Sequence, residues 1–391
     1  MHKRTRRQKV ILIAGLFACL LLIGLFILFL FSWEKSSRVR ELLGDTGIWG
    51  NKKTPAHVLT FDDTDYAYTD DLQTYLLIGT DGSSETEENK GRYGDLADFL
   101  LVLVIDNTTE SYSFFQIDRD TIADVDMIDE DGLFTGTFQE QICTAHWYGS
   151  TEEERNANTV STVSGFLGGL GINGYYMLNM RDMDVLNDAV GGVTVTVEDD
   201  LTGIDPAMKK GAVIKLKGKQ AEAFVRARMT VSDGTNVSRM RRQRAYMESF
   251  YTLVMSRIRE DANYLNDLYD ALSGKILSDQ PHSVVSDITN RMYRYENKGV
   301  LLVDGESTAA DTFGDGVLHT EFYPDSDSLL QVMQNLTGMV PVTDELLESV
   351  EIVEWKEAED ESDEEEETDD EDVDETAEEE ADGEDSDETG E

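Results

Sequence analysis

Hydrophobic and polar positions alternate along this chain in three distinct rhythms. Residues 10–33, "VILIAGLFACLLLIGLFILFLFSW", run apolar without a single charge. Short apolar runs at 75–78, 99–105, 112–117 and 193–197 read as strands. Between and after them the spacing turns helical. "NTVSTVSGFLGGLG" (158–171) reads as a helix ending on glycine, with Asn158 or Thr159 near its cap. "MRDMDVLNDAV" (180–190) carries Met180, Met183, Val185, Leu186 and Val190 at near-helical intervals. Residues 217–229 and 238–260 read as partly amphipathic helices, and 325–339 as a last one. Strands alternating with helices predict an α/β or α+β domain. Residues 34–73 are polar with few apolar runs and read as a stalk. No internal repeat is visible.

The first rhythm is long enough to matter. About 20 apolar residues at 1.5 Å rise cross a hydrocarbon core of about 30 Å. A signal peptide is the competing reading, but its apolar region is shorter and a small-residue cleavage site follows it. "FSWEKSSR" offers no such site. Lys3, Arg4, Arg6, Arg7 and Lys9 precede the stretch, so the positive-inside rule leaves the N-terminus cytoplasmic and the rest outside. The chain thus divides into a basic tail (1–9), a transmembrane helix (10–33), a stalk (34–73), a folded domain (74–345) and an acidic tail (346–391).

Charge sharpens this division. The formal net charge is -47, and 26 acidic residues against one lysine fall in 351–391. Such a run cannot bury enough apolar surface to offset its ordering entropy, which predicts disorder. The remainder is also acidic, so like charges argue against nucleic-acid binding. Of two cysteines, Cys19 is in the membrane segment and Cys143 alone outside it. The outer domain therefore stands on its hydrophobic core, with no disulfide. There is no CxxC or HExxH, and the five histidines are scattered, so a zinc site is not expected.

Candidate chemistry begins at "FFQIDRDT" (114–121), where a buried strand runs into Asp118, Arg119 and Asp120. Strand ends are where scaffolds present functional side chains. "GTD" ends another strand at Asp81, and Asp95 and Asp98 precede the next. These carboxylates suit a hard divalent cation through oxygen ligands, or serve only as turn and cap aspartates. "GLGING" (169–174) matches a GxGxxG string, but a helix precedes it, which favours a helix terminus with a turn. Arginines are denser than the acidic background allows for: Arg226 and Arg228, then Arg239, Arg241, Arg242 and Arg244. The competing reading is a solvated helix face. Arg226 and Arg228 would lie about 200° apart on an ideal helix, so they share a face only if the segment bends. Arg239, Arg242 and Gln243 are three or four apart and are neighbours on a helix. Guanidinium forks match phosphate oxygens bidentately. With Arg119, four or five arginines suit a pyrophosphate. Phosphoryl transfer needs charge stabilisation and alignment more than a covalent nucleophile.

In order, "LLIGTD", "GDLADFLLVLVID", "QIDRDT", "NDAVGGVTVTV", "LKGKQAEAFVRARM" and "SRMRRQ" resemble the motifs of the LytR–CpsA–Psr family of Gram-positive envelope proteins. The resemblance implies an α/β/α domain with a central mixed sheet and an apolar groove for a lipid chain. It also implies a phosphotransferase that moves a glycopolymer phosphate, of teichoic acid or capsule, from a polyprenyl-pyrophosphate carrier to peptidoglycan. Carried over by position, Asp81, Asp98 and Arg119 are catalytic, and Asp81 and Asp98 hold Mg²⁺ or Mn²⁺. Arg119, Arg226, Arg228, Arg239, Arg242 and Gln243 bind the pyrophosphate. Two positions depart from the family: Asp118 stands where its motif has proline, and Leu96 where it often has arginine. An anion at 118 beside phosphate would weaken binding unless paired.

The reading that follows is a single-pass membrane enzyme facing outward, close to membrane lipid. The alternative is a non-catalytic polyprenyl-phosphate binder, a carrier or sensor. A structural envelope protein and a transcription regulator are further rivals, and the latter needs a cytoplasmic domain.

Overall fold

The structure, a computed structural model, describes residues 53–355 except 83–94, 130, 229–230, 232, 262 and 312–315. The expected transmembrane helix, its basic flank and the chain beyond 355 lie outside the described residues. Among those described, no helix is long and apolar enough to cross a membrane.

Strands β1 (Thr54–Phe61) and β2 (Thr64–Thr69) form an opening hairpin. Its turn residues Asp62 and Asp63 both have positive φ (46° and 58°). That is the two-residue turn whose twist matches the strands, and aspartate tolerates its left-handed conformation. The stalk expected over 34–73 is therefore corrected over 54–73. These residues are strands, because the hairpin is completed by pairing partners nearly 300 residues away that local polarity cannot reveal.

The centre is a meander of β3 (Leu72–Thr80), β4 (Ala97–Asp106) and β5 (Ser111–Ile117). A two-stranded ribbon, β6 (Ile122–Ile128) and β7 (Phe134–Gln141), then leads through a short 3-10 turn to helix α1 (Glu152–Phe166). β8 (Gly174–Asn179) returns parallel to β3. Next come α2 (Met183–Ala189), the ribbon of β9 (Thr194–Thr196) and β10 (Val213–Lys215), α3 (Lys219–Arg226) and the long α4 (Asn236–Glu260). α5 (Tyr264–Ala271), β11 (Ile276–Ser278), α6 (His282–Arg294) and β12 (Glu296–Leu301) follow. The last elements are the hairpin β13 (Gly305–Ala310) and β14 (His319–Pro324), α7 (Ser326–Thr337), β15 (Val340–Pro341), α8 (Asp344–Ser349) and β16 (Val350–Ile352).

The central sheet has six strands in the order β11-β8-β3-β4-β5-β12 and is mixed. Alternation along β4 explains why it is apolar throughout: it is covered on both faces. Leu100, Val102 and Val104 pack toward Val163 of α1 and Met333 and Leu336 of α7. Leu103 and Ile105 face the other way, toward Ile288 of α6. Helices thus cover both sides of the sheet. The C-terminal elements close a second sheet, β15-β2-β1-β16, with β16 parallel to β1. The acidic tail does not begin at 346, since α8 and β16 are folded to 352.

The GLGING segment is a packed turn. A Cβ at Gly171 would lie 2.0 Å from Trp355 Cδ2, and just before the segment one at Gly168 would meet Phe61. These glycines admit neighbouring rings where a dinucleotide site would need an open cradle.

Candidate active site

The site forms where β3, β4 and β5 end beside the start of α4. Asp98 is the second residue of β4 and is buried. Its Oδ1 accepts from Arg119 Nη1, and its Oδ2 accepts from Arg239 Nη1 at 3.0 Å. Burial alone would raise the Asp98 carboxyl. Arg119 and then Arg239 outweigh it and hold it below the usual carboxylate range.

Arg119 follows β5 in a tight loop, and its Nε also donates to Asp120 Oδ1 at 3.1 Å. Asp120, 1% exposed, is the second anchor. It accepts further bonds from Gln141 Nε2 at 3.1 Å and Arg228 Nη2 at 3.3 Å. Arg228 also reaches Thr320 Oγ1 at 3.3 Å. The expected bend between Arg226 and Arg228 occurs at Ala227, where the backbone leaves the helix (φ -53°, ψ 128°). Arg226 pairs with Glu222 at 2.9 Å and is near enough to help depress Asp98.

Helix α4 is capped by Thr235, whose side chain accepts the Ser238 N–H. This fixes its first turn and puts Arg239 against Asp98. One turn on, Gln243 Oε1 accepts from Gln116 Nε2 at 3.1 Å. Gln116 Oε1 in turn accepts from Arg244 Nη1 at 2.7 Å. These three residues line one part of an apolar cavity of about 750 Å³ between the sheet and α4, α5 and α6. Leu101, Leu103 and Phe114 contribute from the sheet, and Tyr251, Leu268 and Ile288 from the helices.

Asp118 does not face the arginines as a bare charge. Its Oδ1 accepts the Asp120 N–H at 2.9 Å, and its backbone carbonyl accepts the Thr121 N–H at 3.0 Å. That is an aspartate-stabilised turn, a hydrogen-bonded substitute for proline's fixed φ. Asn236 Nδ2 supplies a third bond, and burial pushes the Asp118 carboxyl up.

Two site expectations need correction. Arg242, 1% exposed, is turned away from the cluster. It donates to Asp199 Oδ2 at 2.7 Å and to the carbonyls of Phe224 and Ala227, tying α4 to α3. Four-residue spacing put Arg239 and Gln243 on the site face, while Arg242 falls on the face that packs on α3. Arg242→Ala should therefore cost about 3–5 kcal/mol in denaturant unfolding, the scale of a broken buried pair. It should leave the pyrophosphate affinity of the folded protein unchanged. Asp81, Asp95 and Asp98 also do not form a three-carboxylate group, and the described residues contain no cluster of three metal-ligating side chains. Asp81 Oδ1 accepts the Leu96 N–H at 3.0 Å, and the Asp95 carbonyl bonds His146 at 3.0 Å. Asp81 follows β3 and Asp98 lies near the start of β4 at the paired Thr80–Ala97 end, and both Asp98 oxygens are engaged by Arg119 and Arg239.

Asp120 was noted in sequence only as part of the strand-end stretch, without a role, and Gln116, Gln141, Asn236 and Thr320 were not singled out. Asp120 and Gln116 flank Arg119 within one short stretch, so their signal was present. Thr320 is brought in by the parallel bridge between Thr121 and Phe322, which nothing local announces.

Comparison with known proteins adds three findings. The LytR_cpsA_psr family matches residues 49–338. TagU of Bacillus mycoides, named a polyisoprenyl-teichoic acid–peptidoglycan teichoic acid transferase, is 32% identical over 174 residues, 44% of this chain and 50% of that protein. The chain spans about half the length of the curated relatives it matches. Among solved structures, TagV of B. subtilis is 20% identical with a TM-score of 0.52, covering 68% of this chain and 96% of that one. TagT bound to LI-WTA is 18% identical with a TM-score of 0.50, covering 69% and 92%. At these identities the likeness is one of fold.

Proposed function

The chain belongs to the LytR_cpsA_psr family, and we propose that it is a transferase moving a glycopolymer phosphate from a polyprenyl-pyrophosphate carrier to peptidoglycan. Residues 10–33 anchor it in the cell membrane with the folded domain outside, near a donor that cannot leave the bilayer. The name of the TagU relatives points to a teichoic acid as the glycopolymer.

One observation carries this reading. Arg239 Nη2 and Arg228 Nε are buried without a hydrogen-bond partner. An unmet buried donor costs about 1–3 kcal/mol, and more when charged. Phosphate oxygens supply the missing acceptors, and the adjoining apolar cavity accommodates the carrier's hydrocarbon chain.

In the reaction, an acceptor hydroxyl oxygen forms a bond to the phosphorus that bears the glycopolymer. The bond from that phosphorus to the bridging oxygen breaks, and polyprenyl phosphate leaves with that oxygen. Arg119, Arg228 and Arg239 stabilise the charge on the phosphoryl oxygens. Phosphate oxygens meet the free edges of these guanidinium groups while Asp98 keeps its bonds to Arg119 and Arg239. Asp98, beside the reacting phosphorus, takes up the hydroxyl proton as the new bond forms. Asp81, with Asp98 beside it, would hold Mg²⁺ or Mn²⁺, since phosphate sites hold Mg²⁺ through one or two carboxylates plus phosphate oxygens and water. Bound there, the ion would supply charge neutralisation.

The test is a single turnover by the full-length protein in nanodiscs, with lipid-pyrophosphate-linked oligosaccharide and peptidoglycan. Release of polyprenyl phosphate with label appearing on peptidoglycan is expected. Tight binding without release would replace this reading with the carrier or sensor.

A further inference from the structure

We propose that Asp118 and Asn236 form a brace that aims Arg239 at the ligand's phosphate, a role resting on the function proposed above. Arg239 has three donor edges. Its Nε donates to Asn236 Oδ1 at 2.9 Å and its Nη1 to Asp98 Oδ2 at 3.0 Å. Two contacts fix a planar guanidinium, so the direction of the third edge, the unpartnered Nη2, is set by them.

The Asn236 contact depends on which way that amide points. Its nitrogen donates to Asp118 Oδ1 at 2.5 Å, which obliges its oxygen to face Arg239. Without Asp118 the amide could turn and oppose a donor to Arg239 Nε. The same Asp118 oxygen accepts the Asp120 N–H, so one carboxylate ties the Arg119 loop to the first turn of α4. Asp118, Asn236 and Arg239 are 7%, 5% and 4% exposed. A turn alone would not justify this arrangement. Proline holds a turn without burying a carboxylate, whose desolvation is costly. The second contact, to Asn236, gives the buried acid a purpose that proline cannot serve.

The experiment compares the full-length protein with Asn236→Ala, Asp118→Pro and Asp118→Asn. Inorganic pyrophosphate binding is read by calorimetry, donor KM and kcat by transfer, and folding by thermal unfolding. Asn236→Ala and Asp118→Pro should weaken pyrophosphate binding about tenfold, the scale of a lost bond to a charged group. Donor KM should rise more than kcat falls. Asp118→Asn keeps an acceptor oxygen toward both donors and should recover most of the loss. Wild-type-like binding by Asn236→Ala would overturn the brace. So would losses that merely track the unfolding midpoint across the three variants. A wild-type protein that binds no pyrophosphate would instead bring down the parent reading, and the brace with it.

Discussion

Arg119→Ala should reduce single-turnover transfer by about 10³-fold or more, the scale seen when a transition-state arginine is removed from phosphoryl transfer. The expectation follows from where the guanidinium sits. It forks between Asp98 and Asp120, each itself buried, so its loss strips charge from the phosphate site and leaves Asp98 only Arg239 and Asp120 only Arg228 as arginine partners. The same geometry predicts a stability cost of about 3 kcal/mol, because each buried carboxylate loses one of its two guanidinium partners. Stability and catalysis must therefore be separated. Arg119→Lys keeps the charge but cannot donate to both carboxylates in one plane. It should fold better than the alanine variant and still transfer poorly. An Arg119→Lys enzyme with undiminished kcat/KM would show that charge alone suffices and that the fork has no catalytic part.

The arginine cluster illustrates what a sequence can disclose and what it conceals. Strands β3 to β5 were legible because they are apolar on both faces. The bend at Ala227 was legible because two arginines two apart cannot otherwise share a site. Arg239 and Gln243 were legible from helical spacing. What was hidden depends on distant partners. The β1–β2 hairpin looked like stalk because β15 and β16, which flank it, arrive at the other end of the chain. Arg242 looked like a ligand because spacing places a side chain on a helix face without saying what that face meets. Asp118 looked like a repulsive charge because its partners, the Asp120 N–H and Asn236, are fixed only by the fold. In each case the local pattern gave the residue's direction and tertiary contact gave its meaning.

The cavity makes the second large prediction. Leu101 lies on the cavity face of β4, opposite Leu77 on β3 and Gln116 on β5. Gln116 is the residue that links the cavity to Gln243 and so to the arginine cluster. A tryptophan at 101 would project into the cavity just beside its polar end. Overpacking a filled core costs about 1–3 kcal/mol. Here the added ring enters existing space, so unfolding should change less than that range suggests. Each buried methylene is worth about 0.8 kcal/mol. Displacing about four chain carbons should then weaken a long-chain donor by about 10²-fold. Inorganic pyrophosphate, which has no chain, should bind Leu101→Trp as it binds the wild type. A donor carrying only a short prenyl group should fall between them. The graded response matters more than the loss itself, since a damaged site would reject all three ligands alike. If long-chain and short-chain donors lose affinity equally, the hydrocarbon chain runs elsewhere and the cavity has no part in substrate binding.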